Sequence, residues 1–243
     1  MHRHLALLAG AACALVCAAT SAATGAAVAA PAAPTSRPAH HSSHHSAQHS
    51  SGHPAWWPTV AHSKAIASAG AARNARLTIP RIGIHQLPVI AYHGSTDDAP
   101  GTRIQNRGIA AASIGRPGKG GVGPGGIGNY LIAGHRTSHG GVFGRTPSLP
   151  KGAKILVDAG RWRYVYRVVR TRWVDFRSQH SLKLQRSAVP GHPGKKANRA
   201  WLTLSTCATP EDHAAGDFWT DRLGNPQHRI DKVAVLAKRK PRR

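Results

Sequence analysis

Trp201-Leu202-Thr203-Leu204-Ser205-Thr206-Cys207 alternates large apolar or β-branched residues with small polar ones and stops at a thiol. That period-two pattern predicts a half-buried β-strand. Ala208-Thr209-Pro210 ends it, because proline has no N–H to give to a ladder. Cys207 is therefore expected at a strand end beside a loop, held by a rigid element yet able to reach a substrate. A lone cysteine is ordinarily a small buried hydrophobe; two features of this chain argue otherwise.

The first is compartment. His2, Arg3 and His4 open the chain, and Leu5 to Pro34 carries no charged side chain. A short basic start followed by an apolar segment is an export signal, with Ser21-Ala22-Ala23 and Val28-Ala29-Ala30 as small-residue cleavage sites. Left uncut, Leu5 to Ala30 is long enough to span a bilayer, so residues 1–33 read as a signal peptide or a membrane anchor. Cys13 and Cys17 lie inside this segment. Cys207 is then the only cysteine of the exported domain, and an unpaired extracellular thiol is a candidate reactive group.

The second is a histidine delivered in the same manner. Asn129-Tyr130-Leu131-Ile132-Ala133-Gly134-His135 is a short apolar run that ends in the turn-forming string Arg136-Thr137-Ser138-His139-Gly140-Gly141. A free thiol is only a few per cent thiolate at neutral pH, so a base or a positive charge must activate it. His135 supplies a group able to move the proton. Downstream, His228 to Leu236 reads as another strand with Arg229 near its start. A guanidinium there suits a developing oxyanion or a substrate carbonyl.

Leu202-Thr203-Leu204-Ser205-Thr206-Cys207 resembles the Thr-Leu-x-Thr-Cys signature of bacterial sortases, and Ala133-Gly134-His135-Arg136-Thr137 resembles the segment around their histidine. The order His, Cys, Arg is also the family's, and the layout matches over about residues 76 to 238. Within the family the chain is most similar to class E sortases of high-GC Gram-positive bacteria, whose Ala- and Arg-rich composition it shares. The resemblance implies a mostly β fold, a closed, mostly antiparallel eight-stranded β-barrel with short helices. It implies a cysteine transpeptidase that cuts a sorting signal between Thr and Gly and joins the protein to a cell-wall or pilin amine. Carried over, Cys207 is the nucleophile, His135 the general acid and base, and Arg229 the substrate and oxyanion stabiliser, with Thr206 and Ser205 as candidate substrate contacts. The 22 positions between Cys207 and Arg229 exceed the family's usual short loop and leave Arg222 as a rival. Arg229 is preferred because it opens an apolar strand.

Composition divides the rest of the chain. Residues 34–75 are Ala, Pro, Ser and His, with His40, His41, His44, His45, His49 and His53 in no hydrophobic period, and read as a flexible linker. Trp56-Trp57-Pro58 suits a membrane interface or is incidental. The catalytic domain is placed at 76–238 and a basic tail at 239–243. Within the domain, Arg76 to Ile84 is an alternating run broken by Pro80, and Leu87 to Ala91 is a short strand. Gly115 to Gly128 lacks the Gly-Lys-Ser/Thr ending of a phosphate-binding loop and reads as a mobile surface loop. Ala153 to Asp158 and Arg161 to Asp175 form a hairpin with Trp162, Tyr164, Tyr166 and Val168 on one face. Phe176 to Arg199 is polar and reads as a long connection.

A net charge of +24 with only nine acids bears on partners. It fits an anionic membrane or wall polymer. No nucleic acid is expected, since zinc spacing, a recognition helix and RNA-binding aromatic motifs are all lacking. No cofactor is expected, and neither zinc-type nor calcium-type ligand spacing is visible. Two other classes compete with the transpeptidase: another exported wall-acting cysteine peptidase or hydrolase, and a non-catalytic cationic surface-binding β-barrel.

Overall fold

The computed structural model describes residues 53–95, 97–115 and 121–242, all within a compact unit spanning Ser51–Arg243. The apolar start and the histidines up to His49 lie outside the described residues. Eight strands form a closed barrel: β1 (Ala75–Ile79), β2 (Ile84–His93), β3 (Ala110–Ile114), β4 (Gly128–Ala133), β5 (Lys154–Ala159), β6 (Trp162–Asp175), β7 (Ala200–Cys207) and β8 (His228–Pro241). The order around the barrel is β1-β2-β3-β4-β7-β8-β6-β5, returning to β1. Pairing is antiparallel except for β2 with β3 and β4 with β7.

The alternation of β7 has the expected effect. Leu202 and Leu204 point into the barrel and are fully buried with Tyr130, Ile132, Tyr166, Ala234 and Leu236; each leucine contributes about 2 kcal/mol by leaving water. Pro80 breaks the first run as its chemistry requires: residues Pro80–Ile82 make a single 3-10 turn, and Gly83 closes it in the left-handed region at φ 75°. β1 and β2 then pair across that turn.

Four short helices sit outside the strands: α1 (Val60–Ile66), α2 (Ala99–Gln105), α3 (Gln179–Arg186) and α4 (Thr209–Ala214). Two of them, α1 and α3, correct an expectation. The flexible linker was expected to run to 75, yet α1 is capped by Thr59, whose hydroxyl accepts the His62 N–H at 3.1 Å. Trp56 and Trp57 pack on a second apolar cluster of Val189, Trp201, Val233 and Val235. The outward side chains of β7 and β8 needed a cover, and the tryptophan pair supplies it. Arg167 and Arg199 stack on Trp56 and Trp57. The supposed basic tail is mostly strand, since β8 runs to Pro241 along β6.

The expected long connection contains α3, capped by Ser178 and turned inward at Leu182 and Gln185. The glycine-rich loop is also more fixed than its composition suggests over its described part. The Gly123 N–H donates to the Gly70 carbonyl at 2.7 Å, and the Gly125 N–H to the Tyr166 hydroxyl at 2.7 Å.

Candidate active site

Three adjacent strands deliver the predicted side chains. β4 and β7 run parallel with Ala133 opposite Ser205, so His135 and Cys207 each lie two residues past that pair, at the same end of the barrel. β7 and β8 are antiparallel, with Cys207 directly opposite Arg229. The Arg229 Nη1 donates to Cys207 Sγ at 2.5 Å. Its Nη2 donates to Asp97 Oδ1 at 2.7 Å and to Asn225 Oδ1 at 2.6 Å. The Phe176 ring covers the guanidinium at 5.2 Å. Arg229 is thus buried, aimed and held. Burial alone would lower its pKa, but Asp97, the thiol, Asp231 and Asp221 outweigh it and raise it. Arg222, the rival, is exposed in the loop before β8.

His135 is partly buried. Its Nε2 lies 2.7 Å from Asn106 Oδ1, at the residue just past α2, and its ring stacks on His139 at 4.8 Å. Burial, then His139, then the Arg229 charge push its pKa below the usual imidazole value. The Asn106 side chain at Nε2 fixes the orientation of the imidazole ring.

The loops after His135 and Cys207 are tied to each other. The Arg136 guanidinium grips Glu211 of α4 at 2.6 and 2.8 Å and donates to the Cys207 carbonyl at 3.2 Å. Burial pushes the Glu211 carboxyl up, but Arg136 and a backbone hydrogen bond together hold it below its ordinary value. On the other side of His135, the Thr206 hydroxyl donates to the Gly134 carbonyl at 2.9 Å. Gly134 itself must be glycine, because a Cβ there would meet the Phe143 ring at 2.9 Å.

Thr206 and Ser205 are placed differently from their expected role. Both are buried, and Ser205 Oγ receives the Gln185 Nε2 at 3.1 Å. Their side chains are engaged in the framework under the site. Ser205 joins a polar layer beneath α3: Gln185 also donates to Asp231 at 3.1 and 3.2 Å, Asn129 Nδ2 donates to the Gln185 carbonyl, and Thr203 donates to Asn129. Burial raises the Asp231 pKa to about 6 despite the Ser205 and Gln185 hydrogen bonds.

Asp97, Asn106, Asn225, Arg136 and Glu211 were not singled out from sequence. Only Asn225 carried a legible signal: it lies in the turn string from Asp221 to Pro226, where Asp221 accepts the Leu223 and Asn225 N–H groups and the Asn225 side-chain amide. The long segment between Cys207 and Arg229 therefore ends by presenting a carboxamide to the arginine. Asp212, Asp217 and His228 also converge. Both Asp212 oxygens are engaged by His228, at its N–H (3.0 Å) and Nδ1 (2.8 Å), so the trio clips α4 to the start of β8.

The Sortase domain family model matches residues 77–223, more than half of the chain. Among solved structures, the SrtA sortase from Actinomyces oris is similar with 21% identity and a TM-score of 0.51, covering 72% of this chain and 84% of that one. Sortase E1 from Streptomyces coelicolor, solved with a tripeptide in its active site, gives 21% identity and a TM-score of 0.49 over 72% and 94%. No curated protein sequence matches. The barrel agrees in fold with the first of these, and the family match spans both strands that carry the thiol and the imidazole. The chain belongs to the sortase family and is a cysteine transpeptidase.

Proposed function

We propose that this sortase cleaves a C-terminal sorting signal between Thr and Gly and joins the new carboxyl end to a cell-wall or pilin amine. The Cys207 thiolate attacks the Thr carbonyl carbon. A C–S bond forms, and the oxyanion is met by Arg229, already within reach of the sulfur. His135 gives a proton to the glycine nitrogen as the C–N bond breaks. The acceptor amine then attacks the thioester, loses its proton to His135, and expels the thiolate. Trp173, 54% exposed on β6 and edge-on to His228, offers apolar surface at this end.

The observation that carries the reading is the Arg229 guanidinium on Cys207 Sγ, with its other nitrogen braced by Asp97 and Asn225. An anion-stabilising group fixed on a thiol has no use in a purely structural cysteine. Residues 1–33 are assigned to export: left uncut they anchor the enzyme on the outer face of the membrane, and cleaved they release it as a secreted enzyme. Surface proteins bearing sorting signals are the donors.

The test is cleavage of peptides of the Leu-Pro-x-Thr-Gly and Leu-Ala-x-Thr-Gly types with an amine acceptor present, the products read by mass. Cleavage at Thr–Gly with acceptor joined to the Thr carboxyl is expected, and Cys207→Ala abolishes it. Turnover retained in that variant contradicts the assignment.

A further inference from the structure

We propose that the end of the barrel opposite Cys207 binds a phosphate-bearing anion. A cavity of about 600 Å³ opens there, lined by Arg73, Arg161, Trp162, Tyr164 and Arg239 together with residues 67–71. Arg239 lies directly across from Tyr164 in the β6–β8 ladder. Arg229 and Arg239 are on the same strand, and ten residues of strand span about 33 Å. The cavity therefore cannot be part of the peptide site.

Its chemistry is one-sided. The guanidiniums of Arg239 and Arg161 lie 4.7 and 5.2 Å from the Trp162 ring centre. Arg239 is further fixed by donating to the Ala67 carbonyl at 2.7 Å. Arg73 rests over Gly160 in the β5–β6 turn, where a Cβ would displace it. Among the described residues, no carboxylate lies within ion-pair distance of any of the three. Asp158 of β5 is taken by Arg163 at 2.6 and 2.7 Å, with Arg242 at 3.9 Å.

Three arginines line one cavity with no carboxylate partner among the described residues, and an anion with several oxygens would supply the missing counter-charge. Guanidinium forks match phosphate oxygens two at a time. The indole positions two of the guanidiniums, the volume falls in the range of small-ligand sites, and barrel mouths are common places for them. Two sources share this chemistry: a soluble or polymeric phosphate and a phospholipid headgroup. Either would hold the enzyme by one end and leave the catalytic end free. The site stands apart from the transpeptidase reading, and each can fail alone.

The experiment uses the full chain and three proteins: the parent, Arg73→Gln/Arg161→Gln in the cavity, and Lys195→Gln/Lys196→Gln as an equal charge change elsewhere. Calorimetry with inorganic pyrophosphate should show binding by the parent and by the lysine variant. The cavity variant should bind at least tenfold more weakly while cleaving peptide like the parent. Sedimentation with phosphatidylglycerol vesicles then distinguishes the sources. Vesicle binding lost only in the cavity variant assigns the headgroup, and vesicle binding equal in all three assigns the free or polymeric phosphate. Equal weakening in both variants would reduce the effect to diffuse net charge and overturn the proposal, as would absence of pyrophosphate binding.

Discussion

The two ends of β8 use arginine in opposite ways. At Arg229 the guanidinium is buried and already engaged: the thiol takes Nη1, Asp97 and Asn225 take Nη2, and the Phe176 ring covers its face. At Arg239 the guanidinium shares an open cavity with Arg73 and Arg161 and meets no acid among the described residues. A group that must stabilise charge during a reaction has to be in position before the charge appears. A group that captures an anion needs only an uncompensated charge and room.

The comparison is broken most severely by removing the aimed arginine. Arg229→Ala should lower peptide cleavage by about 10²–10³-fold, the loss typical for an oxyanion donor, whereas Arg239→Gln should leave cleavage unchanged. Equal losses would end the distinction between the two ends.

Next in size is the cost of the polar layer behind the site. The folded-state pKa of Asp231 is raised from 3.8 to about 6, so the barrel favours the neutral carboxyl more than the unfolded chain does. The stability this confers is full below pH 4 and lost as pH rises through 6. Two units correspond to about 3 kcal/mol as an upper figure. Asp231→Asn should therefore be more stable than the parent at pH 8 and equal to it near pH 3.5 in denaturant unfolding. A gain that does not depend on pH would contradict the buried-acid account.

Bracing is a smaller effect. Asn225→Ala removes one of the acceptors on Arg229 Nη2 and should cost about tenfold in kcat with little change in KM, roughly the value of one hydrogen bond to a charged group. A change confined to KM would instead make Asn225 a peptide contact. Smallest is the pH shift. Burial, His139 and Arg229 all lower the His135 pKa, so the acid limb of a bell-shaped profile should have its midpoint below about 6.5. His139→Ala removes one of these influences and should move that limb upward; a downward move would show the sign to be wrong.

Much of the site was legible because strands advertise themselves. The alternation of residues 201–207, the apolar run of 129–134 and the start of β8 predicted three strand ends, and the ladders bring those ends level. The resemblance supplied closure of the barrel, which no local pattern encodes. The parts that were not legible depend on neighbours distant in sequence. Asp97 is 132 positions from Arg229, and Glu211 is 75 from Arg136; nothing in a local window links such pairs. α3 was hidden because a polar eight-residue helix has few apolar positions to show its period, and Gln185 fills one of its inward places. The burial of Thr206 and Ser205 was not legible because sequence does not say which polar groups next to a nucleophile are used by the framework.

The most direct measurement is the intact mass of the protein after brief incubation with excess sorting peptide and no acceptor amine, quenched in acid. A thioester-linked acyl mass, mapped to the peptide containing Cys207 and strongly reduced in Arg229→Ala, is the predicted result. An acyl group found on another residue, or one that forms as fast without Arg229, would contradict the account.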